Sequence, residues 1–321
     1  MSRPLVYVAV QQFGEDDARA RTLLEDAGFE VRHNPFGRRL VSGEMAEVLQ
    51  GAAAVLAGSE PYDARLLAAL PTLRCISRCG VGVDAIDMEA ARRLGIAVYT
   101  TPDEVLEPMA QMTVAMILAL ARHLPLYLSE ARSGQWRKHT GVLLSEWTIG
   151  LVGFGRIGQA VARALQAFGP RLLIADPLAD PAALPPRIEA RSLASLLAEA
   201  DLVSLHVARP AAEGVLIGRQ ELAAMRPGSR LVNTARGYLV DEAALYDALQ
   251  SGHLSAAALD VFATEPYTGP LAKLPQVLCT PHVGSLTRAS RSAMELRCVR
   301  HVVEHFSARH EEKATWAGRA S

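Results

Sequence analysis

Short apolar segments alternate with segments of helical periodicity along almost the whole chain. In the first hundred residues the predicted strands lie at 4–10, 30–33, 53–57, 74–78 and 96–100, and the predicted helices at 17–27, 43–51, 63–70 and 86–94. Strands that alternate with helices in this way favour a parallel sheet with helices on both faces. This part of the chain therefore predicts one α/β domain, which ends at Thr101-Pro102.

The alternation resumes after a mostly apolar helical segment at 104–123 and a polar segment at 130–147, predicted to be a covering loop or short helix. Beyond it the predicted strands lie at 148–152, 171–176, 202–207, 230–234, 256–261 and 277–280, and the predicted helices at 159–168, 192–199, 219–225, 241–250 and 288–306. The fold class is therefore α/β, with two doubly wound parallel-sheet domains. We expect 102–285 to form one domain, and 1–101 with 286–321 to form the other.

A glycine-rich turn follows the apolar strand 148–152. Gly153 permits the tight turn, Gly155 lets the backbone approach a pyrophosphate, and Gly158 lets the next helix pack closely on the strand. That helix directs the N–H groups of Arg156 and Ile157, and its positive dipole end, at the phosphates. An ordinary strand–helix turn without a nucleotide would share the glycines. The strand, turn and helix together favour a dinucleotide-binding Rossmann domain at 102–285.

A carboxylate ends the next strand, 171–176, and indicates which dinucleotide binds. Asp176 lies 23 residues after Gly153, close to the ~20 typical of the carboxylate that binds the ribose hydroxyls. A carboxylate there repels a 2′-phosphate, and Pro177-Leu178 supply no arginine to receive one. The sequence therefore predicts NAD rather than NADP.

The composition argues against several other functional classes. Half of the 321 residues are hydrophobic and the net charge is −1, so we expect two cores and neither a nucleic acid nor a membrane as partner. The four cysteines have neither a CxxC nor a zinc-ligand spacing, so we expect no metal. The chain begins without a signal-peptide pattern, which makes the cytoplasm the expected location.

Three side chains with complementary chemistry follow predicted strands of the second domain. Arg236 follows 230–234, Glu265 comes shortly after 256–261, and His282 follows 277–280. Ligands of open α/β sheets lie beyond the carboxyl ends of the strands, so we expect these side chains to converge. Arginine suits a carboxylate or a polarised carbonyl oxygen, histidine suits general acid–base catalysis, and Glu265 would favour the imidazolium. Each could be an ordinary surface residue, but their common placement favours catalysis.

These motifs resemble the D-isomer-specific 2-hydroxyacid dehydrogenase family over nearly the full length of the chain. The matching segments are Gly80-Val-Gly-Val-Asp84, Gly153-Phe-Gly-Arg-Ile-Gly158, Asn233-Thr-Ala-Arg-Gly237, Ala258-Leu-Asp-Val-Phe262 with Glu265-Pro266, and Thr280-Pro-His-Val-Gly284. The resemblance implies an NAD-dependent oxidoreductase similar to phosphoglycerate dehydrogenases and glyoxylate–hydroxypyruvate reductases. It also implies a Rossmann cofactor domain and a discontinuous, flavodoxin-like substrate domain.

By that resemblance, Arg236 would bind the substrate carboxylate and activate the C2 oxygen, His282 would exchange the proton, and Glu265 would pair with His282. Hydride would pass between C4 of the nicotinamide and C2 of a small D-2-hydroxy acid or 2-keto acid. The backbone of Val81 and Gly82 would bind the substrate carboxylate, and Asp260 would hold the nicotinamide carboxamide. The remaining cofactor contacts implied are Val207, Thr234, Ala235, Arg236, His282, Gly284 and Ser285.

Two departures from the family's pattern bear on this site. The family usually shows His-x-Pro where this chain has His206-Val207-Ala208-Arg209-Pro210, so the adenine–phosphate side of the pocket is unusual. Phosphoglycerate-type members often carry an arginine after the position of Ser59, where this chain has Glu60. A carboxylate at that position would repel a phosphorylated substrate.

Two alternative functions share most of these motifs. NADH-sensing corepressors of the C-terminal-binding-protein type resemble this fold and keep the Arg, Glu and His, although the chain has no long disordered interaction tail of their kind. A phosphite-oxidising dehydrogenase of the same family would share the cofactor site. The family usually dimerises through its cofactor domain, so we expect a homodimer, with the apolar Met109–Leu124 helix as the contact.

Overall fold

The computed structural model describes residues 3–207 and 214–317, with side chains described up to residue 307. The chain divides into two compact units, one formed by residues 1–105 and 286–321 and the other by residues 106–285. Ala208, Arg209 and Pro210 of the unusual His-x-Pro region lie outside the described residues.

The first unit is a five-stranded parallel sheet in the order β2-β1-β3-β4-β5. Its strands are β1 (Leu5–Val8), β2 (Glu30–His33), β3 (Ala52–Ala57), β4 (Cys75–Arg78) and β5 (Ala97–Thr100). Its helices are α1 (Arg19–Asp26), α2 (Ser42–Val48), α3 (Ala64–Ala68), α4 (Met88–Arg93) and the last helix of the chain, α11 (Arg288–Ala317). This strand order is that of flavodoxin-like doubly wound folds.

The last helix belongs to the first unit because its apolar face completes that unit's core. Cys298, Val299 and Val302 of α11 are buried and cluster with Val6 and Val8 of β1. Since both faces of a doubly wound parallel sheet must be covered, this face would be exposed to water without α11.

The second unit is a seven-stranded parallel sheet in the order β8-β7-β6-β9-β10-β11-β12. Its strands are β6 (Thr148–Val152), β7 (Arg171–Ala175), β8 (Ile188–Ala190), β9 (Leu202–Leu205), β10 (Ser229–Asn233), β11 (Leu254–Leu259) and β12 (Val277–Cys279). Its helices are α5 (Leu106–Ala121), α6 (Leu124–Arg132), α7 (Arg156–Gln166), α8 (Leu193–Glu199), α9 (Arg219–Ala224) and α10 (Glu242–Gln250). The strand order reverses between β6 and β9, and such a crevice is where open α/β sheets bind dinucleotides.

The structure confirms the predicted fold class and corrects several element boundaries. Helix α7 begins at Arg156, before the predicted 159, because a helix's first turn needs no apolar periodicity. Strand β8 was not predicted, since Glu189 at the centre of its three residues leaves no apolar run. The predicted helix at 104–123 ends at Ala121, because His123 adopts a left-handed conformation (φ 55°) before α6 begins.

Among the described residues, no single helix combines the length and apolar composition needed to cross a membrane. Only α5 and α6 taken together, across a bend of 65°, reach that length and composition.

We expect Gly150→Ala to destabilise the protein, because β6 passes very close to α8. A Cβ on Gly150 would lie 2.4 Å from Cδ2 of the buried Leu196 and 3.2 Å from Cβ of Ala200. Overpacking of this kind costs about 1–3 kcal/mol, measurable by urea unfolding. Gly43→Ala on α2 is the control, since nothing lies within 4 Å of its Cβ position; alanine there should add roughly 0.5–1 kcal/mol of stability. Equal stability of the two variants would contradict the close packing.

Candidate active site

The glycine turn after β6 is shaped by contacts that leave no room for side chains, except at one position. A Cβ on Gly153 (φ 93°) would lie 2.8 Å from the carbonyl carbon of His206, and one on Gly158 would lie 2.3 Å from the carbonyl oxygen of Gly153. At Gly155 a Cβ would meet nothing within 4 Å. Neighbouring atoms therefore fill the space beside Gly153 and Gly158, whereas the space beside Gly155 is open. The first amides of α7, which begins after Gly155, have no acceptor within the helix. This arrangement fits a pyrophosphate.

Asp176 follows β7 directly, and its carboxylate is held against the glycine turn. Oδ2 accepts a hydrogen bond from the amide of Phe154 (2.7 Å), and Oδ1 accepts one from the amide of Leu178 (2.9 Å). A carboxylate has about four lone-pair sites, so these two bonds still leave capacity for ribose hydroxyls. The structure thus places Asp176 beside Gly153–Gly158. Val207 lies just beyond the end of β9, the strand that pairs with β6 on the side opposite β7.

The loop that carries Arg236 is fixed by a side chain to which the sequence had assigned no role. Asn233 is buried at the end of β10; its Oδ1 accepts from the amide of Ala235 (3.0 Å) and its Nδ2 donates to the carbonyl of Arg236 (2.8 Å). Thr234 Oγ1 lies 2.9 Å from Thr113 Oγ1 of α5. A buried amide at the end of an apolar strand was the available signal, since buried polar groups need partners.

His282 and Glu265 meet at the same end of the sheet. Nδ1 of His282 lies 2.9 Å from Oε2 of Glu265, whose other oxygen accepts from the amide of Phe262 (3.1 Å). The carboxylate can only accept, so Nδ1 carries the proton of this hydrogen bond in the neutral ring. In the described part of the chain Nε2 has no hydrogen-bond partner, which leaves it open for proton exchange with a ligand.

Asp260 holds the turn that carries His282. Its buried carboxylate accepts from Thr280 Oγ1 (2.5 Å) and the amide of Val283 (2.9 Å) through Oδ1, and from the amide of Gly284 (2.8 Å) through Oδ2. His282 between them adopts a left-handed conformation (φ 55°). Hydrogen bonds to an ionised carboxylate are strong, so Asp260 constrains a backbone conformation that non-glycine residues rarely adopt. Its implied contact with the nicotinamide carboxamide stays a prediction.

Gly284 needs to be glycine because it is wedged between α5 and this carboxylate. A Cβ there would lie 2.6 Å from Met109 Sδ and 2.9 Å from Asp260 Oδ2. Ser285 follows as the last residue of the second unit. Gly237 is wedged in the same way, since its Cβ would lie 1.9 Å from the carbonyl carbon of Phe262. The loops that carry Arg236 and Glu265 are therefore in backbone contact.

His206 is a residue whose place in the site the sequence did not reveal. It follows β9, and its Nε2 lies 3.0 Å from Oγ of the buried Ser204. Although part of the residue is exposed, its Nδ1 is sealed from solvent and has no hydrogen-bond partner among the described residues. Desolvation lowers the pKa of the ring to about 4. The imidazole is therefore neutral at physiological pH.

In the first unit, the loop predicted to bind the substrate carboxylate follows β4. Val81 is exposed, and Gly82 follows it in the same turn. The preceding Gly80 (φ 134°) donates its amide to Thr101 Oγ1 (2.7 Å), and the guanidinium of Arg78 occupies the space of its missing Cβ. The amides of this loop are held in a glycine-dependent conformation, and the roles of Val81 and Gly82 remain predictions.

Charged side chains are usually exposed to solvent, but that of Glu60 is not. It is buried, and its Oε2 accepts a hydrogen bond from the amide of Gly58 (2.8 Å). Burial raises the pKa of its carboxyl above the usual value, partly opposed by Arg39 and Arg78. Because this carboxyl group is buried and hydrogen-bonded to the amide of Gly58, Glu60 is a weaker argument against a phosphorylated substrate than the sequence indicated.

We expect Gly155→Val and Gly158→Ala to separate nucleotide binding from stability. Valine at 155 would fill the open space above the turn, so NADH binding, measured by fluorescence titration, should fall at least about tenfold while the melting temperature changes little. Alanine at 158 would collide with the carbonyl of Gly153 and should cost about 2 kcal/mol or more of stability. Undiminished NADH binding by Gly155→Val would show that the pyrophosphate lies elsewhere.

Comparison with known proteins agrees with this geometry. D-3-phosphoglycerate dehydrogenase of Mycobacterium bovis is 42% identical over 247 residues, which are 76% of this chain and 47% of that protein. The chain thus spans about half the length of the phosphoglycerate dehydrogenases that it matches first. Hydroxypyruvate reductase of Thermotoga maritima is 35% identical over 258 residues, which are 78% of this chain and 84% of that protein.

A solved structure shares the whole architecture. D-lactate dehydrogenase from Aquifex aeolicus, complexed with NAD and lactic acid, matches with a TM-score of 0.83 and 28% identity over 96% of each chain. Residues 114–284 match the family model described as "D-isomer specific 2-hydroxyacid dehydrogenase, NAD binding domain", which confirms the predicted cofactor, NAD. On this evidence of sequence and fold, the chain belongs to the D-isomer specific 2-hydroxyacid dehydrogenase family.

Proposed function

We propose that the protein is an NAD-dependent oxidoreductase that transfers a hydride between nicotinamide and C2 of a small D-2-hydroxy acid or 2-keto acid. The observation that carries this proposal is the pair His282–Glu265, whose ring nitrogen and carboxylate oxygen are 2.9 Å apart. The pair lies at the carboxyl end of the sheet that also holds the glycine turn. A general acid–base and a nucleotide site on one sheet edge are what a proton-coupled hydride transfer requires.

His282 acts as the general acid–base in this proposal. Glu265 accepts a hydrogen bond from Nδ1–H of His282, which fixes the ring orientation and aims Nε2 away from the carboxylate. Bound NADH would supply the hydride to C2 of the keto acid. Nε2 of a protonated His282 would give its proton to the C2 oxygen, and would take it back in the oxidation direction. The product of reduction is then the 2-hydroxy acid, with the ring left neutral.

Arg236 binds the acid in this proposal. Its Nη1 donates to the carbonyl of Ala235 (2.8 Å), which orients the guanidinium. A guanidinium presents its N–H donors in a planar fork that matches a carboxylate and can also donate to the C2 oxygen. Polarising the C2 carbonyl favours hydride addition because negative charge develops on its oxygen.

The substrate is proposed only as a class. The similar proteins bear the names D-3-phosphoglycerate dehydrogenase, hydroxypyruvate reductase and glyoxylate reductase. The buried position of Glu60 leaves both phosphorylated and unphosphorylated acids within the class. No contact in the described residues specifically favours a corepressor function or phosphite oxidation.

We expect His282→Ala to lower kcat/KM for reduction of a 2-keto acid by about 10²- to 10⁴-fold, because the general acid is lost. NADH absorbance loss is measured with glyoxylate, hydroxypyruvate, pyruvate and phosphohydroxypyruvate, and NAD reduction with phosphite. Glu265→Gln should lower the rate less, since it keeps a hydrogen-bonding partner for the ring. His33→Ala is the control, because that exposed histidine lies in the first unit.

Three outcomes of this assay would contradict the proposal. A wild-type protein that binds NADH but turns over no acid would favour the corepressor-type function. Unchanged turnover by His282→Ala would remove His282 from the proton transfer. Turnover of phosphite without turnover of any keto acid would favour a phosphite-oxidising dehydrogenase instead.

We also propose that the protein forms a homodimer, but through a different segment from the expected one. Most of the predicted Met109–Leu124 contact lies in helix α5, and nine residues of that helix are buried. The exposed apolar side chains lie instead on α6 and the segment after it, and they are Leu124, Leu128, Trp136 and Leu143. Exposed apolar side chains that lie close together along the chain are a reasonable choice for an interaction surface.

The segment after α6 is held in place by α6 itself. Tyr127 Oη donates to the carbonyl of His139 (2.6 Å), and Nε2 of His139 lies 2.9 Å from Oε2 of the buried Glu130. These contacts fix the segment that carries Trp136, whose side chain is 91% exposed. Exposed aromatic side chains are enriched in protein interfaces, which favours the use of Trp136 in a dimer interface.

We expect Leu128→Glu/Trp136→Glu to shift the protein from dimer to monomer, because carboxylates would have to be buried at the interface. Multi-angle light scattering measures the mass, which should be twice that of the chain for the wild type and equal to it for the variant. Val41→Glu, an exposed apolar position in the first unit, is the control and should remain dimeric. A monomeric wild type would overturn the proposal.

A further inference from the structure

Glu265, the carboxylate of the proposed acid–base pair, lies on an exposed loop, residues 263–266. The residues that flank this loop close it, since Phe262 is buried and its ring stacks on that of Tyr267, with centroids 4.1 Å apart. The amide of Phe262 also donates to Oε1 of Glu265 (3.1 Å). None of these contacts joins the exposed backbone of the loop to another segment of the unit.

A hydrogen bond from Ala263 joins this loop to α10. The amide of Ala263 donates to Oε1 of Glu242 (2.8 Å). In the described chain neither Thr264 nor Glu265 donates its amide to a protein acceptor, and Pro266 has no amide hydrogen. Hydrogen bonds to an ionised carboxylate are roughly twice as strong as those between neutral groups. Glu242 therefore holds a loop that has little other support.

Glu242 itself belongs to a firmly packed element. It is the first residue of α10, whose Ala244, Leu245 and Leu249 are buried in the core of the second unit. A carboxylate in the first turn of a helix is favoured by the positive end of the helix dipole. A side chain on a packed helix can define a position more precisely than one on another loop.

A second contact joins the same two segments. Gly237 lies between Arg236 and α10, and a Cβ on Gly237 would collide with the carbonyl carbon of Phe262. This close backbone approach comes one residue before Ala263, whose amide binds the first residue of α10. The segment that carries Arg236 is therefore joined at two successive residues to the loop that follows β11.

We propose that Glu242 is a positioning residue, whose carboxylate holds the loop so that Glu265 can accept from Nδ1 of His282. In this role Glu242 acts through Glu265 and contacts neither the keto acid nor the nicotinamide. The inference rests on the proposed function, in which the pair exchanges the substrate proton. A misplacement of about 1 Å can lower a rate about 100-fold, so a hydrogen bond outside the reacting groups can affect turnover.

Three substitutions separate the hydrogen bond of Glu242 from its charge. Glutamine keeps an acceptor at the same distance without the charge, aspartate keeps the charge but is one methylene shorter, and alanine has neither. We expect Glu242→Gln to keep kcat for keto-acid reduction within about threefold of the wild type, and Glu242→Asp and Glu242→Ala to lower it about five- to fiftyfold.

The control for a general loss of helix stability is Asp247→Ala. Asp247 is exposed on the same helix and pairs with Arg219 (2.8 Å), so its loss should leave kcat unchanged. Wild-type kcat in Glu242→Asp, with a low kcat in Glu242→Gln, would overturn the proposal because the charge alone would then matter. Wild-type kcat in all three Glu242 variants would overturn it as well.

A double-mutant cycle shows whether the effect passes through Glu265. In a Glu265→Ala background we expect Glu242→Asp to lower kcat by less than about twofold, because the loop no longer carries the carboxylate that Glu242 positions. A purely structural role of Glu242 would give the same five- to fiftyfold loss in both backgrounds. That result would overturn the proposal.

A measurement without turnover keeps this inference separate from the proposed reaction. Imidazole ¹⁵N chemical shifts show which ring nitrogen of His282 carries the proton, and the hydrogen bond at one nitrogen sets that choice. We expect Nδ1 to be protonated in the wild type and in Glu242→Gln, and less so in Glu242→Asp. An unchanged tautomer in Glu242→Asp would overturn the inference, while keto-acid turnover by the wild type would leave the proposed reaction standing.

Hydrogen exchange on the wild type covers the case in which Glu242→Asp fails to fold. We expect the amide of Ala263 to exchange more slowly than that of Thr264, because only the former has a protein acceptor in the described chain. Equal exchange of the two amides would overturn the proposal. A shifted tautomer in Glu242→Asp, in a protein that reduces no keto acid, would support the positioning and contradict the proposed reaction.

Discussion

The close approach of β6, α7 and the end of β9 is the constraint on which the rest of the proposed site depends. Gly153 and Gly158 make this approach possible, because a Cβ at either position would collide with neighbouring backbone. The approach brings the positive end of α7 to the crevice where the strand order reverses. It also places His206 beneath the turn and Asp176 beside it. One packing constraint therefore assembles the nucleotide end of the site.

At the other end of the site, carboxylates fix the backbone as well as carrying charge. Asp260 accepts from Val283 and Gly284 and constrains the turn of His282, while Glu265 accepts both from that ring and from the amide of Phe262. A buried carboxylate is stable only when its oxygens are hydrogen-bonded, so these bonds are strongly favoured. The side chains of the proposed site are thereby held in place before any ligand binds, which is the condition for electrostatic preorganisation.

Hydrophobic periodicity predicted most of the fold because it reports which face of each element is buried. Both parallel sheets and eleven of the twelve described strands followed from it; β8 did not, since Glu189 at its centre leaves no apolar run, whereas the equally short β12 is apolar throughout. The break before α6 also escaped prediction, because it depends on the left-handed conformation of His123 within an otherwise helical segment. The dimer contact stays a prediction, because an apolar pattern does not tell a helix that is buried within the protein from one that is exposed to a partner.

The sequence by itself determined the parallel α/β architecture, the glycine turn, the choice of NAD and the family. These depend on local periodicity, on residue types at strand ends and on short motifs, all of which are read along the chain. Only the tertiary structure decided that Glu60 is turned inward to Gly58, that Asp260 holds the turn of His282, and that Ser204 leaves the Nδ1 of His206 without a partner in the described chain. The direction of a polar side chain and its hydrogen-bond partners are set by neighbours that folding brings together. No pattern along the chain specifies those neighbours.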